Sequence, residues 1–251
     1  MRDAFSLAGR RALITGASRG IGRGIALAFA EAGADVTVAA TDARKLDDVA
    51  AEARRRGVAA HALAVDLTDV DAVLDMVDQA HAAMGGLDVL VNNAAVHGGD
   101  AASDTSVEEY ERLVNVNLRA PVFAAQRAAK YMRAAGGGVI VNISSTAAVR
   151  GLGVYGAVKA GLESLTEGLA RSWGPDGIRV VAIQPGLIST DATASLEQDP
   201  ERLERFLSQT HLRRIGQPRD VAGAAVFLAS DAASFITGVV LPVSGGRVYK
   251  L

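Results

Sequence analysis

Tyr155 and Lys159 stand four residues apart in Val154-Tyr155-Gly156-Ala157-Val158-Lys159-Ala160, a segment that reads as the opening of a long helix, so the two side chains share a face. A phenol ionises near pH 10. Its use as an acid or base near neutrality needs a shift on the order of 4 kcal/mol, part of which a neighbouring ammonium supplies. Ser145 follows an apolar run at 139–143 and is placed to donate a hydrogen bond to a carbonyl oxygen, with Ser144 as a second candidate if the register shifts. Asn117 sits in Val116-Asn117-Leu118, an amide in an apolar stretch that must find partners. It either ties two backbones together or holds a water beside Lys159. Singly, each has an ordinary explanation in a solvated helix face or a cap. Together they suit proton transfer on an oxygen.

These residues need a scaffold that brings distant segments to one edge. Short apolar or β-branched runs recur at 12–15, 36–40, 60–65, 89–92, 139–143, 180–183 and 239–243, separated by amphipathic, alanine-rich stretches. This pattern predicts an α/β fold of seven parallel strands joined by right-handed helical crossovers. Polar residues cluster after the runs, at Asp66-Leu67-Thr68, Asn92-Asn93, Ser144-Ser145 and Pro185-Gly186, and a doubly wound sheet gathers ligands at that carboxyl edge. The first run leads into Thr15-Gly16-Ala17-Ser18-Arg19-Gly20-Ile21-Gly22, a glycine turn opening a helix. Without Cβ atoms, Gly16, Gly20 and Gly22 let a pyrophosphate approach the free N–H groups of the helix start.

Composition narrows the chemistry. The 251 residues are 49% hydrophobic and 22% charged, with a formal net charge of −2, which gives no basic footprint for nucleic acid and no polybasic membrane patch. With no cysteine, disulfides, thiolate catalysis and cysteine-ligated zinc are excluded, and the four histidines are scattered, so no metal is expected. The opening Met1-Arg2-Asp3-Ala4-Phe5 is too polar for a secretory segment, and no apolar run reaches membrane-spanning length. A cytoplasmic protein is expected.

Over essentially its whole length the sequence resembles the short-chain dehydrogenase/reductase family. The glycine turn matches that family's motif, and Asn92-Asn93-Ala94-Ala95 resembles its Asn-Asn-Ala-Gly element. Asn117, Ser145, Tyr155 and Lys159 fall on its catalytic tetrad, and Pro185-Gly186 with Ile188 and Thr190 on the segment that holds the nicotinamide carboxamide. The resemblance implies a single doubly wound Rossmann domain over 1–251, with helices on both faces of the sheet, and metal-free hydride transfer between a nicotinamide dinucleotide and a carbonyl or secondary alcohol. By the same resemblance Tyr155 is the acid/base, Lys159 holds the ribose and favours the tyrosinate, Ser145 orients the substrate oxygen and Asn117 anchors a relay water. Gly16, Ser18, Arg19, Gly20, Ile21, Gly22, Ala40, Thr41, Asp66, Leu67, Asn93, Ala94 and Ala95 join Tyr155, Lys159, Pro185, Gly186, Ile188 and Thr190 as expected cofactor contacts.

At the end of the second run Ala40 provides no acid to repel a 2′-phosphate, and with Thr41 and Arg19 nearby NADP(H) is favoured. Asp42 keeps NAD(H) open: it either caps the next helix or reaches the ribose. The segment 187–217 is expected to form a lid, and relatives are usually homotetramers. Ala124, Ala125, Ala128 and Ala160, Gly161, Leu165 suit either helix approach between copies or packing on the sheet. Substrate resemblance divides between gluconate 5-dehydrogenase-like sugar-acid or polyol dehydrogenases and 3-oxoacyl carrier-protein reductases. A non-catalytic dinucleotide sensor or scaffold is the reading from a different class. Ala95 in place of glycine, Ser244 in place of aspartate and only ten positions from Ser145 to Tyr155 depart from the family pattern.

Overall fold

A computed structural model describes residues 2–98 and 102–247. Met1, at the head of the polar opening segment, lies outside them. Seven parallel strands form one sheet in the order β3-β2-β1-β4-β5-β6-β7, with β1 Arg11–Thr15, β2 Asp35–Ala40, β3 Ala60–Ala64, β4 Val89–Asn92, β5 Gly138–Ile143, β6 Ile178–Pro185 and β7 Val240–Val243. The expected runs therefore coincide with the strands to within two residues at either end. Helices α1 Gly20–Glu31, α2 Ala43–Arg54, α3 Val70–Met84, α4 Val107–Val114, α5 Ala120–Ala134, α6 Gly153–Trp173 and α9 Pro218–Ala229 make the crossovers, and the short α7 Ala194–Glu197 and α8 Pro200–Ser208 lie between β6 and α9.

The strands read as near-continuous apolar runs because both faces of the sheet are covered. Alternate residues feed two cores. Ala12 and Ile14 of β1, Val89 and Val91 of β4, and Val181 and Ile183 of β6 pack with α1, α2 and α9. Leu13, Leu90 and Val180 pack on the opposite face with α3, α5 and α6. Ala124, Ala125 and Ala128, at most 1% exposed, belong to this second layer. Their small side chains thus serve the sheet, the simpler of their two readings.

The sheet order reverses between β1 and β4, where the chain leaves β1 for one side and enters β4 from the other. Side-chain bonds staple this switch point. Thr15 Oγ1 accepts from the backbone N–H groups of Asn93 (3.0 Å) and Ala94 (3.1 Å), and Asn93 Nδ2 donates to the carbonyls of Thr15 (2.9 Å) and Gly16 (3.1 Å). The glycine turn after β1 and the Asn-Asn-Ala-Ala segment after β4 are one bonded unit.

Candidate active site

The glycine turn follows from crowding. Gly16 has φ +65°, and a Cβ there would lie 2.6 Å from Ala94 Cα. A Cβ on Gly22 would lie 2.3 Å from the Gly16 carbonyl oxygen and 2.4 Å from Asn93 Nδ2. Only glycine lets β1, α1 and the β4 exit meet this closely. α1 starts with no side-chain cap and no acid in its first turn, so its N–H groups and positive dipole end remain for an anion.

In front of this turn opens a cleft of 540 Å³ that runs along the carboxyl edge of the sheet. Nineteen positions were expected to touch the cofactor, and all of them, from Gly16 to Thr190, line it. Ser145, Tyr155 and Lys159 share its wall. Asp66 holds itself at the edge with an Oδ1 that accepts from Thr68 N (2.9 Å) and Thr68 Oγ1 (2.8 Å), bonds that keep its carboxyl below the usual range. Ala95 is exposed in the cleft. Among the described residues Arg213 is the non-glycine with a positive φ, so Ala95 fits its position with ordinary backbone.

The short interval from Ser145 to Tyr155 closes through a single 3-10 turn, Thr146–Val149, which Ser145 caps by accepting from Ala147 N (3.1 Å). Accepting that bond leaves the serine proton to donate towards the cleft. Ser144 also lines the cleft, but at 4% exposed it donates to Glu163 Oε1 at 2.6 Å. The Ser145 hydroxyl proton is left to the cleft, whereas that of Ser144 is given to Glu163.

Tyr155 is 8% exposed and Lys159 2%, on successive turns of α6 with Lys159 Nζ 5.8 Å from the phenol ring centroid. The ammonium donates to the Ile143 carbonyl at 3.0 Å. Burial pulls its pKa down to about 8, against an opposing pull from the Glu163 charge. The phenol thus sits in a dry wall on the same helix face as a cation.

Asn117 makes the backbone ties of its first reading. The chain widens into a π turn at Asn115–Arg119, and the fully buried amide turns to the β4 exit. Its Nδ2 donates to the carbonyls of Val96 and Leu113, both at 3.0 Å, and its Oδ1 accepts from Val96 N at 3.3 Å. Both amide protons are therefore spent on holding Val96 to α4, the backbone tie that was one of the two readings of this residue.

Sequence reasoning missed His97 and Arg112, which line the same cleft. The His97 ring lies 4.8 Å from that of Tyr155, and Arg112 Nη2 donates to the His97 carbonyl (3.1 Å). The position of His97 just past Asn-Asn-Ala-Ala, at the sheet edge, was an available signal. Arg112 comes from the last turn of α4 and offers none.

At the adenosine end, Ala40 and Thr41 line the cleft with Arg19. Asp42 is committed to α2 as its N-cap, accepting from Lys45 N (3.1 Å) and pairing with Lys45 Nζ (3.3 Å). Arg19 reaches Asp191 at 3.6 Å, both side chains largely exposed. Ser244 backs the β6 exit: a Cβ on Gly186 would lie 2.8 Å from Ser244 Cα.

The family profile described as "Enoyl-(Acyl carrier protein) reductase" matches residues 16–247. The chain belongs to the short-chain dehydrogenase/reductase family. It is 38% identical over 252 residues to the gluconate 5-dehydrogenase of Gluconobacter oxydans (strain 621H), covering 99% of this chain and 98% of that protein. Among solved structures, 7 alpha-hydroxysteroid dehydrogenase complexed with NADH and 7-oxo glycochenodeoxycholic acid matches with TM-score 0.95 and 38% identity, over 100% of this chain and 99% of that one. A putative NAD(P) dependent gluconate 5-dehydrogenase from Beutenbergia cavernae, with bound NADP, matches with TM-score 0.93 and 38% identity over 97% and 98%. As a member of this family the chain is an NAD(P)-dependent oxidoreductase that acts on a small-molecule carbonyl or secondary alcohol. Among the described residues no helix is long and apolar enough to cross a membrane, and no cluster of three metal-ligating side chains occurs.

Proposed function

We propose that Tyr155 is the acid/base of a metal-free carbonyl reduction, or of the reverse alcohol oxidation, run by a single domain over 1–251. The observation that supports this most is the sharing of one wall by Tyr155, Lys159 and Ser145, on the same cleft as the glycine turn. The bound nicotinamide gives or takes the hydride. Ser145 donates to the substrate oxygen, and Tyr155 gives that oxygen its proton as charge develops. Lys159 keeps the phenol's conjugate base stable and offers N–H donors to ribose hydroxyls. Asn117 acts as a positioning residue that keeps the Val96–His97 wall in place.

NADP(H) is the favoured cofactor. Ala40 lacks an acid, Asp42 is occupied with α2, and the exposed Arg19–Asp191 pair is of a kind worth about 0–1 kcal/mol, readily exchanged for a charge-assisted bond to a 2′-phosphate. The segment 187–217, which contains Asp191, α7 and α8, serves as the lid. Exposed Val107, Tyr110 and Phe123 on α4 and α5, with Phe235 fully exposed elsewhere, support a homotetramer. A dependence on the dinucleotide pool supports a cytoplasmic location. The substrate class is a small hydroxylated acid or polyol, in keeping with polar His97, Arg112 and Thr193 on the cleft wall and with the gluconate dehydrogenase relatives.

Fluorescence titration with NADPH and NADH, followed by a panel of carbonyls, sugar acids and polyols, tests this. Tighter NADPH binding is expected, with turnover lost at least 100-fold in Tyr155→Phe while cofactor binding stays within a few-fold of wild type. Unchanged turnover in that variant refutes the assignment.

A further inference from the structure

One turn beyond Lys159 on α6 stands a carboxylate that the proposed chemistry does not use. Glu163 Oε1 accepts from Ser144 Oγ at 2.6 Å and from Gln184 Nε2 at 2.8 Å. The two donors come from the residue after β5 and from β6, and are 4% and 3% exposed. Two donors on one oxygen fix the carboxyl group in place between β5, β6 and α6. The Ser144 hydroxyl also lies 3.5 Å from the backbone carbonyl of Lys159, and Glu163 follows Lys159 by four residues on α6, so the two side chains share a helix face.

Lys159 needs a counter-charge. Its ammonium is 2% exposed, and the group it directly bonds, the Ile143 carbonyl of β5, is neutral. Tyr155 and Glu163 face it from α6, and β5 and β6 contribute the neutral Ser144 and Gln184. The Glu163 charge opposes the pull of burial on the ammonium.

We propose that Glu163 is a positioning residue for the proton chemistry of this cleft: clamped by Ser144 and Gln184, its carboxylate keeps Lys159 an ammonium beside Tyr155. This rests on the roles assigned above to Tyr155 and Lys159. It also gives adjacent serines different work, with Ser145 facing the substrate and Ser144 holding the carboxylate. A stitch that merely fastened α6 to the sheet would need no charge. Glu163→Gln separates the two, because a glutamine oxygen still accepts from both donors while the charge is gone.

The test follows the titration of Lys159 by NMR in protein labelled at lysine Cε, its resonance identified by loss in Lys159→Met, together with the pH profile of carbonyl reduction. In Glu163→Gln the Lys159 midpoint falls by about half a unit or more, and the alkaline limb of the rate profile moves down with it. Ser144→Ala, which removes one clamp, gives a smaller fall in the same direction and serves if the first variant does not fold. A Lys159 midpoint unchanged in either folded variant overturns the proposal. A lowered midpoint with an unmoved rate profile supports the action of Glu163 on Lys159 and instead refutes the role given to Lys159 in turnover.

Discussion

Lys159 works at a cost that its burial makes measurable. Its folded pKa of about 8 lies below the ordinary 10.5, so between these values the folded chain binds fewer protons than the unfolded one, and stability rises with pH across that window. The penalty is full below pH 8 and gone above about pH 10.5. Lys159→Met is therefore expected to be more stable than the wild type at pH 7, by at most about 3 kcal/mol, while losing turnover. Urea unfolding at pH 7 and pH 10 checks it: a gain that does not shrink at the higher pH contradicts the assignment. Gly22→Ala tests crowding instead of charge. Its Cβ would meet the Gly16 carbonyl and Asn93 at 2.3 and 2.4 Å, so dinucleotide affinity should drop at least tenfold in a titration, with the thermal midpoint lowered too. The spacing of Tyr155 and Lys159 and the glycines of the turn were legible in the sequence because each is a local pattern. The commitment of Asn117 to Val96 and of Ser144 to Glu163 was not, since partners 21 and 19 residues away leave no periodic trace.

Between elements, a buried polar ladder ties the strands to α6. Asn92 Nδ2 of β4 donates to Asn142 Oδ1 of β5 (2.9 Å), Asn142 Nδ2 to Thr166 Oγ1 of α6 (3.0 Å), and Thr166 Oγ1 to the Leu162 carbonyl (2.8 Å). Each member is at most 4% exposed. Asn142→Leu leaves Asn92 and Thr166 short of partners in a dry layer, and each orphaned group costs roughly 1–3 kcal/mol. A fall of several degrees in thermal midpoint is expected, whereas Ser164→Ala on the exposed side of α6 should leave it within about a degree. Differential scanning calorimetry on the pair decides. The elements themselves were readable because a sheet covered on both faces writes each strand as an unbroken apolar run. The π turn at Asn115–Arg119 was hidden, as helical periodicity runs through it, and α7 and α8 were hidden by their shortness and mixed charge.

For the molecule as a whole, the switch point between β1 and β4 sets both stability in acid and the reach of the site. At its amino edge Arg11 Nε (2.7 Å) and Nη2 (3.0 Å) grip the half-buried Asp88. Burial pushes that carboxyl up, and the bonds and charge of Arg11 outweigh it, holding it below the usual range. The stabilisation is present above the unfolded carboxylate pKa near 4 and lost as pH falls through the folded value. Asp88→Asn should thus be less stable than wild type at pH 7, with the gap closing as acid unfolding is followed towards pH 3. A gap independent of pH would contradict the charge. The strand order was foreseeable only in outline, since pairing across the switch joins residues far apart in the chain. At the carboxyl edge, the strip from Asn93 to His97 is bonded to Thr15 at one end and to Asn117 and Arg112 at the other, a taut span between the dinucleotide turn and the substrate wall. Ordering one anchor is expected to order the other. Binding should therefore be ordered, dinucleotide first, and deuterium uptake at the Val96 amide should slow when the dinucleotide alone is added, before any substrate arrives.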